Sequence, residues 1–359
     1  KLPGVTYSAD PLTDYHNAQL EGVSGTFYTR SLGYGTCNIE LELLTGVNTR
    51  FLTTDRQLCY MSPNDFANLP AVPREFSDNG YYTAFLHMFN DSIYNRTPIY
   101  SQLGFDDIYF TDSFAQIDDD AAAAEDYWAF MEGKISGEFY SDDYMADLLI
   151  DLYEKKSGDS PVFLYAASME NHTPFTGNKY SSYDYPFTSS LGKDAHDCLN
   201  AYTQGCANAS KSLGKLIDYF SQTPEPTIIV FFGDHRAGLP LDGDGTVYSA
   251  LGMCSDQESS KWPVETIARL YSTDYLIWSN DKSLLPGEAG SRRDTSSAYL
   301  GLDTLRTAGI RLDPYWRMIA SVKESCTAYE WLYAVDSDGR IYSELPDTLD
   351  PDKFDTMAW

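Results

Sequence analysis

The sequence predicts an α/β fold: a mostly parallel central sheet with helices on both faces, plus a small α+β extension at the C-terminal end. Two runs carry the prediction. Residues 162–167 (Val-Phe-Leu-Tyr-Ala-Ala) and 227–232 (Thr-Ile-Ile-Val-Phe-Phe) are almost continuously apolar, the pattern of strands covered on both faces, and a long helical pattern over residues 194–220 lies between them. The third observation is chemical. Three apolar runs end in polar clusters holding three of the five histidines: His87, the stretch 168–172 ending in His172, and Asp234-His235. In open α/β sheets ligand groups gather beyond the carboxyl ends of strands, so an enzyme with its site along one rim is predicted.

Each element has its own signal. Residues 25–30 are rich in β-formers and lead into Gly33-Tyr34-Gly35-Thr36, where two glycines permit a tight turn. Ile39, Leu43 and Leu44 then recur at helical spacing until Gly46, which ends the helix. Thr36 stands at that helix's N-terminus, where free N–H groups and the helix dipole favour an anion such as phosphate. Its plain local reading is an N-cap, with Glu40 a few residues on. Cys37 offers a thiol nucleophile or a precursor for oxidation to an aldehyde. The latter needs Pro and Arg shortly downstream, where the chain has Asn38-Ile39-Glu40.

Residues 81–88 read as a buried strand delivering His87 near its end, 95–103 as a helix, 108–110 as a short strand, and 118–120 as a solvated acidic loop. A helix over 140–156 precedes the strand 162–167. The strand 227–232 stops at Gly233-Asp234-His235. A strand at 275–278, helices at 296–308 and 314–323, and a hairpin turning at 336–339 between 331–335 and 340–343 complete the pattern. With no repeat or composition break, the chain reads as a catalytic domain over 1–290, with 291–359 packed on it as an extension.

Twenty-five basic against fifty-three acidic residues give a net charge of −28, which excludes non-specific binding to nucleic acid or an anionic membrane surface. An anionic substrate must therefore meet a locally positive site. The six cysteines form no CxxC pair, which excludes a structural zinc site of that kind. No run approaches the ~20 apolar residues of a membrane span.

Asp234 and His235, directly after a buried strand, supply a carboxylate oxygen and an imidazole nitrogen, ligands that manganese and zinc both accept. His87 and Arg96 flank a strand-to-helix turn that brings both to the same rim. Arginine recognises phosphate bidentately, and a nearby histidine donates a proton or a hydrogen bond. Taken alone, Arg96 is a solvated helix residue. His172, in Asn171-His172-Thr173-Pro174-Phe175, is either a general acid on a leaving group or a substrate ligand.

Together these motifs resemble the extracellular catalytic domain of the lipoteichoic acid synthase family, phosphoglycerol transferases of the alkaline phosphatase and sulfatase superfamily. The resemblance rests on Gly33-Tyr34-Gly35-Thr36 with its Glu-Leu-Leu-Thr-Gly ending, on Tyr94-Asn95-Arg96, Leu103-Gly104-Phe105-Asp106, Asn171-His172-Thr173-Pro174-Phe175 and Phe232-Gly233-Asp234-His235, and on the 309–315 tail.

It implies Thr36 as nucleophile and metal ligand, Asp234 and His235 as metal ligands, Arg96 and His172 as holders of the phosphoglycerol group, and His87 lining the site. It further implies one divalent metal, manganese, with magnesium or zinc as alternatives. The donor would be phosphatidylglycerol and the acceptor a glycolipid or teichoic acid chain. The protein would be a monomer on the outer face of a Gram-positive-type membrane, held by N-terminal helices. A hydrolase of the same superfamily, or a catalytically dead polymer-binding relative, is the alternative. The resemblance also places a strand carrying an acidic metal ligand ahead of the segment matching Lys1. Without that strand the metal site would be short of a carboxylate, unless Glu40 or Glu170 supplies it.

Overall fold

The computed structural model describes residues 2–52, 62–158, 160–243 and 245–344. The strands that frame the site are β1 (Val23–Tyr28), β2 (Tyr82–His87), β3 (Asp107–Tyr109), β4 (Val162–Ala167), β5 (Ile228–Phe232), β6 (Ser272–Ser279) and β7 (Thr295–Ser296), followed by β8 (Cys326–Tyr329), β9 (Ala334–Asp336) and β10 (Ile341–Tyr342). The main helices are α1 (Thr36–Thr45), α2 (Arg96–Leu103), α3 (Asp142–Lys156), α4 (Lys193–Phe220), α5 (Ser297–Thr307) and α6 (Pro314–Lys323). The mixed α/β class is the one expected.

The framing strands pair in two groups. β3, β2 and β4 form a parallel sheet in that order, with Tyr82 opposite Val162 and His87 opposite Ala167. β7, β1, β6 and β5 form the other, in which β6 runs antiparallel to both β1 and β5. β9 and β10 form the expected C-terminal hairpin, and β8, which the sequence reading did not predict, pairs with β9 as a third antiparallel strand.

The strand alternation shows how the sheet is covered on two sides. On β6, Tyr275 and Ile277 enter the cluster that holds α1 and α2, while Leu276 and Trp278 enter a second cluster with Leu213 and Phe220 of α4. On β2, Phe85 faces the first cluster, and Ala84 and Leu86 face a third with Leu148 and Leu152 of α3. Each large side chain so enclosed stabilises the fold by roughly 1.5–3 kcal/mol relative to exposure.

Two strands depart from this full coverage. Every residue of β5 and all of β4 except Tyr165 are only partly buried, and each of the two strands is the edge of its sheet. Phe163 and Ala167 of β4 and Val230 and Phe232 of β5 lean on the same core cluster.

One loop expectation is corrected. Asp118 is not solvated: it is buried, caps the short helix Asp119–Ala123 through the amides of Asp120 and Ala121, and accepts a 2.8 Å hydrogen bond from the Tyr144 hydroxyl. An aspartate preceding a helix satisfies N–H groups that would otherwise lack partners, which is why it is drawn inward.

Candidate active site

Two loops must meet for the site to form, and glycine allows it. Gly33 (φ +80) donates its N–H to the Arg236 carbonyl at 2.8 Å, and a Cβ at Gly33 would stand 2.8 Å from the Gly238 Cα. No side chain fits there, so the Gly33 turn lies directly against the loop that follows β5. Arg236 holds that loop to β6 through two bonds to the Ser272 carbonyl, at 3.0 and 3.2 Å.

The N-cap of α1 is Gly35, in the left-handed conformation at φ +96, and not Thr36 as local sequence suggested. Thr36 is the first helical residue, so its hydroxyl points out of the helix start instead of back onto it. Its Oγ1 donates to Asp234 Oδ2 at 2.7 Å and lies 3.2 Å from His235 Nε2. Asp234 Oδ1 accepts from the His235 amide at 2.8 Å, which orients the carboxylate.

His235 Nδ1 lies 3.2 Å from the Arg236 carbonyl. A carbonyl only accepts, so Nδ1 carries the proton and Nε2 presents its lone pair toward Thr36 and Asp234, the tautomer a metal ligand needs. Carboxylate, imidazole and hydroxyl thus converge within 3.3 Å of one another. In kind they suit a divalent cation; among the described residues no group of three His, Cys, Asp or Glu completes the set. Neither alternative carboxylate joins it. Glu40 is engaged by Arg96, and Glu170 accepts from Ser136, Asn208 and the Asp142 amide.

Arg96 is buried, 2% exposed, and not the solvated helix residue its isolated reading suggested. Its Nε and Nη2 donate to Glu40 at 3.0 and 2.9 Å, and the Tyr100 hydroxyl donates to the same carboxylate at 2.5 Å. Burial alone would weaken the guanidinium's hold on its proton, but Glu40 and Tyr100 more than offset it and hold the pKa above the usual value. Glu40 lies one helical turn beyond Thr36, so α1 carries the hydroxyl and the arginine's partner on one face.

His87 ends β2 with its Nδ1 3.1 Å from the Ala167 carbonyl. Burial, and then the charge of Arg96, pulls its pKa down to about 3, so the ring is neutral with a lone pair on Nε2. It therefore accepts a hydrogen bond at that atom and does not donate one. His172 is exposed, with Nδ1 3.0 Å from the Thr173 carbonyl. A run of ring contacts, His87 to Phe89, Phe89 to Phe139 and Phe139 to His172, joins the two histidines along the rim.

The six predicted site residues thus fall in two groups: Thr36, Asp234 and His235 in direct contact, and Arg96, His87 and His172, linked by the Arg96 charge felt at His87 and by the ring contacts from His87 to His172. Tyr165, raised well above the usual tyrosine range by burial and then by Glu40 and Asp234, feels both groups. Sequence reasoning missed the pairing role of Glu40. The four-residue step from Thr36 was the available signal.

Comparison with known proteins identifies the family and the fold. The Sulfatase family profile matches residues 4–310. A Rhizobium meliloti (strain 1021) protein named for cyclic beta-1,2-glucan modification is 27% identical over 320 residues, covering 88% of this chain and 44% of the relative. The chain therefore spans less than half the length of that relative.

Among solved structures, the Streptococcus pyogenes phosphoglycerol transferase GacH in complex with sn-glycerol-1-phosphate superposes with a TM-score of 0.70 at 18% identity, over 99% of this chain and 81% of that one. The Listeria monocytogenes lipoteichoic acid synthase LtaP gives 0.61 at 17% identity, over 99% and 86%. The chain belongs to the Sulfatase family, with the alkaline phosphatase superfamily fold of the lipoteichoic acid synthase-like enzymes that its motifs resemble.

Proposed function

We propose that the chain is the catalytic part of a phosphoglycerol transferase, with Thr36 as nucleophile. The observation that carries this reading is the 2.7 Å bond from Thr36 Oγ1 to Asp234 Oδ2 at the open start of α1. Asp234 Oδ2 takes the hydroxyl proton as Thr36 Oγ1 bonds to the phosphorus of phosphatidylglycerol. The bond from phosphorus to the diacylglycerol oxygen breaks, and protonated His172 delivers a proton to that oxygen. An acceptor hydroxyl then attacks the phosphorus of the glycerophosphothreonine: His172, left neutral by the first step, takes its proton, the bond from phosphorus to Thr36 Oγ1 breaks, and Asp234 returns the proton to Thr36.

Arg96 offers its remaining N–H groups to the phosphoryl oxygens, and the lone pair of His87 Nε2 accepts from a glycerol hydroxyl. Thr36, Asp234 and His235 would hold one divalent metal, manganese in our reading, which when bound acidifies the threonine hydroxyl and offsets phosphoryl charge. A further carboxylate ligand, from an extended segment seated on the half-buried edges of β4 and β5, completes this proposal.

The acceptor is a glycan or glycolipid hydroxyl, supported by the names of the Rhizobium and Listeria relatives. Among the described residues no helix is long and apolar enough to cross a membrane. On this reading the domain works at the outer membrane face and meets its lipid donor there.

Mass spectrometry after incubation with phosphatidylglycerol and manganese tests the reading. The expected result is a glycerol phosphate adduct on the peptide containing Thr36, with diacylglycerol released, and neither in Thr36→Ala. Diacylglycerol release that survives Thr36→Ala would overturn it. Glycerol phosphate found only free in solution, with acceptor present, would favour the hydrolase instead.

A further inference from the structure

The pairing of Arg96 has a consequence for substrate charge. A guanidinium has five N–H donors in a planar fork. One on Nε and one on Nη2 bind Glu40, at 3.0 and 2.9 Å. The remaining edge, formed by Nη1 and the outer N–H of Nη2, is a second fork of the geometry that binds two phosphoryl oxygens.

That fork is held from several sides. Glu40 and Arg96 are 3% and 2% exposed. The guanidinium carbon lies 4.9 Å from the Tyr94 ring centre and 5.9 Å from that of Phe85. The turn before Arg96 places two consecutive non-glycine residues, Tyr94 (φ 71) and Asn95 (φ 51), in the left-handed region. Such backbone is retained where surrounding structure over-determines it, as at ligand clamps.

The same contact that fixes the fork offsets much of its charge. The Glu40 carboxylate in bidentate contact reduces the guanidinium's field beyond the pair, and what is left of that field helps burial keep the neighbouring His87 uncharged. The fork then binds by directed hydrogen bonds with little net field, so a second negative charge on the ligand gains little from it.

We propose that Glu40 determines charge specificity: by neutralising Arg96 while fixing its second fork, it suits the site to singly charged phosphodiesters over doubly charged phosphomonoesters. This rests on the reading above that Arg96 meets the phosphoryl group. It follows that a phosphomonoester formed when water intercepts the enzyme is let go and does not block the site.

The test compares inhibition by glycerophosphoglycerol, a monoanion, with that by glycerol phosphate, a dianion at pH 8, in low salt with manganese. The metal proposed at Thr36, Asp234 and His235 favours the dianion in native protein and variant alike, so the readout is the change in the ratio of the two constants. Glu40→Gln, which removes the charge and keeps an acceptor oxygen, should shift the ratio toward glycerol phosphate by about tenfold or more. An unchanged ratio, with both ligands weakened alike, would show Glu40 to be a structural support only.

Glu40→Asp, which keeps the negative charge, should leave the ratio near its native value, and a ratio that moves as far toward glycerol phosphate as in Glu40→Gln refutes the idea. If Arg96→Lys leaves both constants unchanged, Arg96 is not a phosphate ligand. The underlying reading of that residue then fails, and the charge argument falls with it.

Discussion

The buried pair between α1 and α2 can be tested independently of catalysis. In Arg96→Met the Glu40 carboxylate, 3% exposed, keeps only the Tyr100 hydroxyl as a partner. Removing one member of a buried ion pair costs about 3–5 kcal/mol, because the charge left behind is neither solvated nor neutralised. Unfolding entropy of about 2.1 cal/mol/K per residue, taken over 359 residues, amounts to roughly 0.75 kcal/mol/K. The expected fall in Tm is therefore about 4–7 °C.

Glu40→Leu combined with Arg96→Met exchanges the pair for apolar side chains and should recover Tm to within about 2 °C of the native protein. Calorimetric melts of the native protein, Arg96→Met, Glu40→Leu and the double variant at pH 8 complete the cycle. A single Arg96→Met melting within about 1 °C of the native protein at pH 8 would refute the pair as an ionised, load-sharing contact.

Two further predictions concern pH. His87 is neutral in the fold and titrates near 3, against about 6.5 unfolded. The unfolded chain therefore binds more protons at this site between those values, and the His87 contribution to stability rises with pH there; in urea titrations the native protein should gain about 2–3 kcal/mol relative to His87→Gln between pH 4.5 and pH 7, and an equal difference at both pH values would exclude this account. Asp142 has the opposite sign: burial, and then the charge of Glu170, pushes its carboxyl up to about 8, and its Oδ1 has no hydrogen-bond partner. Its contribution is lost as pH rises from about 4 toward 8, so Asp142→Asn should be more stable than the native protein at pH 8 by at least about 1 kcal/mol, and less so at pH 5; an equal change at both pH values would exclude this account.

Much of the local architecture was legible because its causes are local. The helix of Pro314–Lys323 opens on a proline after a capping Asp313, and α1 ends at Gly46 in the left-handed conformation, both as the residues dictate. The apolar runs became β2, β4, β5 and β6, and the polar groups that follow β2, β4 and β5 supply residues of the candidate site. Pairing direction was not legible. Tyr275–Trp278 reads as a buried strand whichever way it runs, and its antiparallel place between β1 and β5 depends on where the chain returns.

The sequence by itself determined which residue types stand at the strand ends, that Thr36 begins a helix, and that the fold is α/β. Only the tertiary structure decided what those residues do there. Thr36 could cap its own helix until the approach of Gly33 to Gly238 brought Asp234 within 2.7 Å of its hydroxyl. Arg96 could be a solvated residue until burial made a counter-charge necessary and the turn at Tyr94 and Asn95 placed Glu40 against it. Spacing along a chain fixes which groups share a face of one element. Desolvation, which arises only when elements pack, fixes which charges must find each other.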